Sequence, residues 1–233
     1  MDLPVKDGWI EVICGSMFAG KTEELIRRIT RIQLAKKEVI VFKPEIDDRY
    51  EKTMVVSHSA RKVKSIPISS SEEIMQHLDH LPYAIAIDEA QFFDRGIIKV
   101  AEELADQGVR IIVAGLDLDF RGEPFGVMPD FLARAEFVTK LQAICQVCGE
   151  PATRTQRIIN GIPSNYNDDI VVVSAKEKYE ARCRHCHQVP GRPNEWWILY
   201  ERSLKRGYES FQKRRSPSWM YYCKRWSNYR KKP

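Results

Sequence analysis

The sequence predicts an α/β fold: a parallel β-sheet covered by helices on both faces, then a small cysteine-bounded domain and a basic tail. Three observations carry that prediction. Apolar runs of strand length alternate with helix-periodic segments over residues 9–140, and such alternation builds parallel sheets. A glycine-rich octapeptide joins the first strand to the first helix. Two Cys-x2-Cys pairs then enclose a stretch with few helical signals. With 233 residues, 43% hydrophobic and 30% charged, the chain has the composition of an ordinary globular protein with a sizeable core.

Each element follows from its residues. Residues 9–14 (Trp-Ile-Glu-Val-Ile-Cys) read as a buried strand, and a helix runs from about 21 to 37. Leu25, Ile29 and Ile32 mark its inner face, with Glu23/Arg27 and Glu24/Arg28 spaced four apart on the outside. Residues 39–42 form a second strand, stopped by Lys43-Pro44. A helix over 72–81 follows, with Ser71 as its N-cap. Further strands are expected at 83–87, 109–114 and 136–140, with a helix over 97–107 ended by Gly108. No apolar run approaches the ~20 residues of a membrane helix. The N-terminus lacks a basic start followed by an apolar run, so the expected location is cytoplasmic.

Gly15-Ser-Met-Phe-Ala-Gly20-Lys21-Thr22 matches G-x4-G-K-[ST] between a strand and a helix, the P-loop of nucleoside triphosphatases. The two glycines permit a tight path, and loop amides with the helix N-terminus cradle phosphate. Lys21 would reach the β- and γ-phosphates of ATP, and Thr22 would ligate Mg2+. The strand at 83–87 ends in Asp88-Glu89, acids placed where a parallel sheet opens toward its ligand. That pair fits a kinase, in which Glu89 polarises an attacking hydroxyl, and equally an ATPase, in which it orients water.

Cys145, Cys148, Cys183 and Cys186 form C-x2-C, 34 intervening residues, then C-x2-C. In a chain with no secretory signal this reads as a closed structural Zn2+ site that clamps the ends of the intervening segment. His185 and His187 flank the second pair, where they could substitute as ligands, and read more readily as solvated loop residues. A zinc ribbon also occurs in nucleic-acid binders, so the motif does not choose a function.

Charge sets the tail apart. Residues 192–233 carry net +9, while residues 1–191 carry net −4. The tail also holds ten aromatic residues, four of them tryptophan. Amphipathic helices that pack on the body or a neighbouring subunit, nucleic-acid contact, and a disordered or membrane-surface segment are the readings it supports. Nucleic acid is expected as a partner only through this tail.

The order of motifs resembles the type II thymidine kinase family. The octapeptide with Glu-Glu-Leu-Ile-Arg-Arg carries it, then Phe42-Lys-Pro with Asp47-Asp-Arg49-Tyr50, and Ile87-Asp-Glu-Ala-Gln-Phe-Phe93. Ala114-Gly-Leu-Asp-Leu-Asp-Phe120, Thr139-Lys-Leu-Gln-Ala-Ile-Cys145 and Tyr179-Glu-Ala-Arg-Cys183 complete the set. The resemblance covers roughly residues 8–190. It implies transfer of the ATP γ-phosphate to the 5′-hydroxyl of thymidine or deoxyuridine, with Glu89 as general base. Gly15, Ser16, Met17, Phe18, Ala19, Gly20, Lys21, Thr22, Asp47, Arg49, Asp88 and Gln91 would then handle triphosphate and Mg2+. Phe120 would pack the nucleoside, Thr155 would line the pocket for the base methyl, and Tyr179 would contact the sugar side. Ile170, Val171, Val172, Val173 and Ser174 match the loop that lassoes the base with main-chain hydrogen bonds. A homotetramer, feedback inhibition by dTTP and a role in deoxynucleoside salvage for DNA synthesis are implied too. Ala19 stands where the family commonly has serine, and Ser174 where it usually has glycine. The resulting plan is a P-loop domain at 1–142, a zinc-binding lasso domain at 143–190 and an extension at 191–233.

Overall fold

Strand β1 (Trp9–Cys14) lies inside a parallel sheet whose other strands arrive one helix or loop at a time. The computed structural model describes residues 8–45, 54–56, 62–170 and 177–193. After α1 (Lys21–Leu34) come β2 (Val39–Pro44), a hairpin of β3 (Met54–Val56) and β4 (Lys62–Lys64), β5 (Ile66–Ile68) and the single turn α2 (Glu73–Gln76). Then follow β6 (Ala84–Ile87), a 3-10 turn at Ala90–Phe92, α3 (Gly96–Asp106), β7 (Arg110–Gly115), α4 (Met128–Arg134) and β8 (Phe137–Lys140). Among the described residues, six strands pair in the order β5-β2-β6-β7-β1-β8, every pair parallel. The expected α/β class holds.

Period-two alternation explains why both faces are covered. Ile13, Ala84, Ala86, Ile112 and Ala114 face the helix α1, which buries Leu25, Ile26, Ile29 and Ile32 against them. Val12, Cys14, Ile85, Ile87, Ile111 and Val113 point the other way, onto Ile97, Ala101 and Leu104 of α3 and Met128 and Phe131 of α4. Each fully buried Val, Leu, Ile, Met or Phe among them contributes about 1.5–3 kcal/mol relative to exposure.

Several expectations need correction. The helix over 72–81 is only Glu73–Gln76, capped by Glu72. Only Ile74 is buried there, so no apolar stripe sustains a second turn. Ser71 instead gives its amide and hydroxyl to the Asp94 carboxylate at 2.8 and 2.7 Å. Strand β2 does not stop before Lys43-Pro44: β5, absent from the expected elements, pairs with Phe42, Lys43 and Pro44 beyond the end of β6. Pro44 therefore sits where β2 has a partner on one side. Arg28 is not an outward charge. Its side chain is 11% exposed and reaches Glu11 on β1 and, at 2.8 Å, Thr139 on β8, besides Glu24. Helix α4 has no counterpart among the expected elements.

After β8 the chain builds a small β element. Strands β9 (Ala143–Ile144) and β10 (Pro151–Ala152) pair, and β11 (Arg154–Ile159) runs antiparallel to β12 (Ile162–Pro163) and β13 (Glu177–Arg182). The stretch with few helical signals is thus built of strands. Strand β11 hides from hydrophobic patterning because the side chains it buries are polar: Thr155, Gln156 and Arg157. Ala143, Cys145, Ala152, Ala181 and Cys183 form its core, with Ala19 of the glycine-rich loop packed against them. The chain divides into two compact units, Met1–Pro190 and Gly191–Pro233. Among the described residues, no helix is long and apolar enough to cross a membrane.

Candidate active site and metal centre

In a parallel sheet all strands deliver their carboxyl ends to one edge, and here that edge collects the chemistry. Strand β1 ends in the glycine-rich loop, β6 in Asp88-Glu89, β7 leads into Leu116-Asp117, and β8 ends in Lys140. Gly15 has φ 143°, and a Cβ there would come within 2.4 Å of the Leu141 carbonyl oxygen, so only glycine fits. Gly20 has φ 83° and caps α1 with no side-chain hydrogen bond. Phe18 takes the left-handed conformation at φ 65°, a cost non-glycine residues bear at functional turns. Lys21 donates to the Ser16 carbonyl at 3.0 Å. Burial lowers the Lys21 ammonium below its ordinary value, and Glu89, Asp88 and Asp117 oppose that shift. Thr22 lies in the first turn of α1.

Glu89 adopts φ 50°, ψ 42° at the head of the 3-10 turn. Asp88 accepts the Glu89 amide at 3.0 Å. The Gln91 amide group donates to Glu89 Oε2, while its Oε1 accepts the Leu116 amide at 2.9 Å. Gln91 is buried and its side chain is engaged with these neighbours, so it orients Glu89 from behind.

The β element meets this edge through named bonds. Met17 gives its amide to Thr155 Oγ1 at 3.0 Å, and Ser16 Oγ donates to the Ala152 carbonyl at 3.4 Å. Thr155 thus ties β11 to the glycine-rich loop. Replacing Thr155 by valine keeps the shape and removes the acceptor. We expect a loss of about 0.5–1.5 kcal/mol, read as a lower urea midpoint with unchanged slope, and recovery with Thr155→Ser. Phe120 is buried, Tyr179 donates its hydroxyl to Glu177 Oε2 at 3.1 Å, and Ile170 is 38% exposed. Asp47, Arg49, Val171, Val172, Val173 and Ser174 lie outside the described residues.

The four cysteines come together as the spacing predicts. Their sulfur atoms all lie within 4.8 Å of one another, with Cys148 and Cys183 3.6 Å apart. A tetrahedral zinc with Zn–S near 2.3 Å places its sulfurs about 3.8 Å apart, so the set fits the ion. None of the four is in a disulfide. Burial raises the Cys145 thiol, but amides of Cys183, Val147 and Cys148 outweigh it and hold it at about 6. The thiols of Cys183 and Cys148 push Cys186 up to about 12. Backbone donors thus favour thiolate at one corner while the neighbouring thiols oppose it at another, and a cation bound among them would favour thiolate at all four. His187 is no mere solvated loop residue: its Nε2 donates to the Phe120 carbonyl at 2.8 Å.

Residues that sequence reasoning passed over also sit here. The Asp117 side chain is 3% exposed, and Lys140 Nζ lies 2.7 Å from its Oδ2. The approach is poorly aligned, and among the described residues neither oxygen accepts a hydrogen bond. Cys14 pairs in register with both Gly115 and Lys140, so this ion pair bridges the strands flanking β1 at the root of the loop. Burial, then Asp117, pushes the Cys14 thiol up to about 11 and keeps it neutral. Asp117 belongs to the Ala114–Phe120 motif, but the resemblance gives it no role of its own. Arg157 was equally silent.

A strained glycine loop heading a helix, with oriented carboxylates on the next strand ends, supplies the parts a phosphotransferase of the parallel α/β class requires. The thymidine kinase family model matches residues 8–187, and the chain belongs to the thymidine kinase family, which makes it a kinase.

Proposed function

We propose that the protein is a thymidine kinase, which transfers the γ-phosphate of ATP to the 5′-hydroxyl of thymidine or deoxyuridine and releases the 5′-monophosphate and ADP. The observation that carries this reading is the junction of the two halves of the site. Thr155 and Ala152 of the cysteine-bound element hydrogen-bond the glycine-rich loop, bringing the nucleoside side to the phosphate side. Residues 1–142 serve the triphosphate and lend Phe120 to the nucleoside, residues 143–190 supply the rest of the nucleoside site, and salvage of deoxynucleosides is the physiological role. Homotetramer formation and feedback inhibition by dTTP belong to the same proposal, as does cytoplasmic location.

In this mechanism the loop amides and the N-terminus of α1 hold the β- and γ-phosphates, and Lys21 neutralises their charge. Thr22 and Asp88 would hold Mg2+, which supplies charge stabilisation on the phosphate oxygens when bound. Glu89, steadied by Gln91, takes the proton of the 5′-hydroxyl as that oxygen bonds to the γ-phosphorus. The bond from the γ-phosphorus to the bridging oxygen breaks, and its electron pair leaves on ADP. Phe120, Thr155, Tyr179 and the segment 170–174 hold the nucleoside in line. The four cysteines would hold a structural Zn2+ that orders this element and takes no part in the transfer.

ADP release measured with thymidine, with duplex DNA and with neither tests the proposal. Release that requires thymidine is expected. Release stimulated by nucleic acid and indifferent to nucleosides would point to an ATPase instead. A chain ending at Gly191 should keep the thymidine-dependent activity, since every residue given a role precedes it. A folded, zinc-loaded truncation with no activity would contradict this.

A further inference from the structure

Phe120 is held at two points by the cysteine-bound element, at its ring and at its carbonyl, and each contact comes from a side chain that is itself anchored. Arg157, on β11 opposite Tyr179 of β13, supplies the first. Its guanidinium stands 5.1 Å from the centre of the Phe120 ring. One arm donates to the Asp169 carbonyl, and another reaches Glu177 Oε1 at 2.8 Å. The Arg157 and Glu177 side chains are 2% and 5% exposed, so the pair is shielded from water and its geometry is set by these bonds. The second Glu177 oxygen accepts the Tyr179 hydroxyl, extending the chain of contacts from Phe120 to Tyr179. His187 supplies the other contact, at the carbonyl. Its own amide donates to the Cys183 carbonyl at 3.1 Å, so the imidazole is rooted in the cysteine turn.

We propose that Arg157 and His187 are paired positioning residues that fix Phe120, ring and backbone, for the nucleoside. Neither touches the substrate in this scheme; both act through Phe120. The inference rests on the reading of Phe120 as the residue that packs the nucleoside. A cation over an aromatic face and a hydrogen bond to the carbonyl leave the ring little freedom to tilt or withdraw. A merely structural Arg157 would weaken the fold and leave the two substrates equally affected. A positioning Arg157 acts on one substrate only.

The experiment uses the full-length, zinc-loaded protein with His187→Leu, His187→Gln, Arg157→Met and Arg157→Lys. KM is measured for thymidine and for ATP separately. His187→Leu and Arg157→Met are expected to raise the thymidine KM about tenfold, with the ATP KM within about twofold. His187→Gln, whose amide can donate to the same carbonyl, should recover most of the loss, and Arg157→Lys part of it. The two losses should combine to less than their product, because both act on Phe120. Equal rises in both KM values, or identical behaviour of glutamine and leucine at position 187, would overturn the proposal. If Arg157→Met does not fold, the half-exposed His187 pair decides. Fluorine NMR of protein labelled with fluorinated phenylalanine reads the grip without activity, the Phe120 signal being identified with Phe120→Leu. The signal should shift or sharpen in His187→Leu, and an unchanged signal would overturn the proposal. Should the wild-type protein make no thymidine monophosphate, the functional reading fails separately while this measurement still decides the grip.

Discussion

Replacing Glu89 by glutamine is expected to lower kcat for thymidine phosphorylation by about two to four orders of magnitude, with ATP binding largely kept. An alcohol at neutral pH holds its proton far too tightly to attack phosphorus unaided, and a carboxylate within reach supplies the missing acceptance. Glutamine matches the shape and lacks the base. Glu89 also adopts left-handed backbone geometry at φ 50°, which costs a non-glycine residue about 1–2 kcal/mol. Such strain persists where the surroundings impose it, and Gln91 and Asp88 impose it here through the bonds described above. Asp88→Asn should differ from Glu89→Gln by weakening use of Mg2+–ATP, with partial rescue at high Mg2+. Rapid-quench kinetics separate the two, and a Glu89→Gln protein with the wild-type rate would remove Glu89 from the mechanism.

Loss of zinc is the second large effect. Elemental analysis should give about one zinc per chain, as a closed tetrahedral set of four thiolates predicts. Cys145→Ser should lose the metal. Structural zinc binding is worth about 10–16 kcal/mol in small zinc-finger peptides, far more than the two short strands β9 and β10 can replace. Ala19 packs on the core around these cysteines, and His187 sits beside Cys186. Disorder of this element should therefore reach Phe120 first and the triphosphate loop second. The thymidine KM should rise steeply while ATP binding falls less, and hydrogen exchange should lose protection across β11 and β13. A metal-free protein with full thymidine affinity would contradict the account.

How much of this the sequence reveals depends on the kind of force at each place. The parallel sheet and its main helices were legible because their burial is apolar and periodic: Leu25, Ile29 and Ile32 line one face of α1 as expected. The glycine-rich loop was legible because φ 143° at Gly15 and φ 83° at Gly20 demand glycine, and the cysteine cluster because one ion fixes one spacing. Strand β11 was not legible, since Thr155, Gln156 and Arg157 look solvent-facing until a tertiary partner buries them. The contacts of Asp117 and His187 were not legible for the same reason: an acid within a motif, or a histidine beside a cysteine, acquires its partner only from what the fold brings next to it, here Lys140 and Phe120. Arg28 was misplaced because a helix wheel cannot see Glu11 reaching across from the sheet.

The fate of the γ-phosphate tests the central claim most directly. With ATP labelled in that group, Mg2+ and thymidine, the account predicts label in thymidine 5′-monophosphate in step with ADP, and almost none appearing when thymidine is omitted. Label released as inorganic phosphate, at a rate that ignores thymidine, would contradict it.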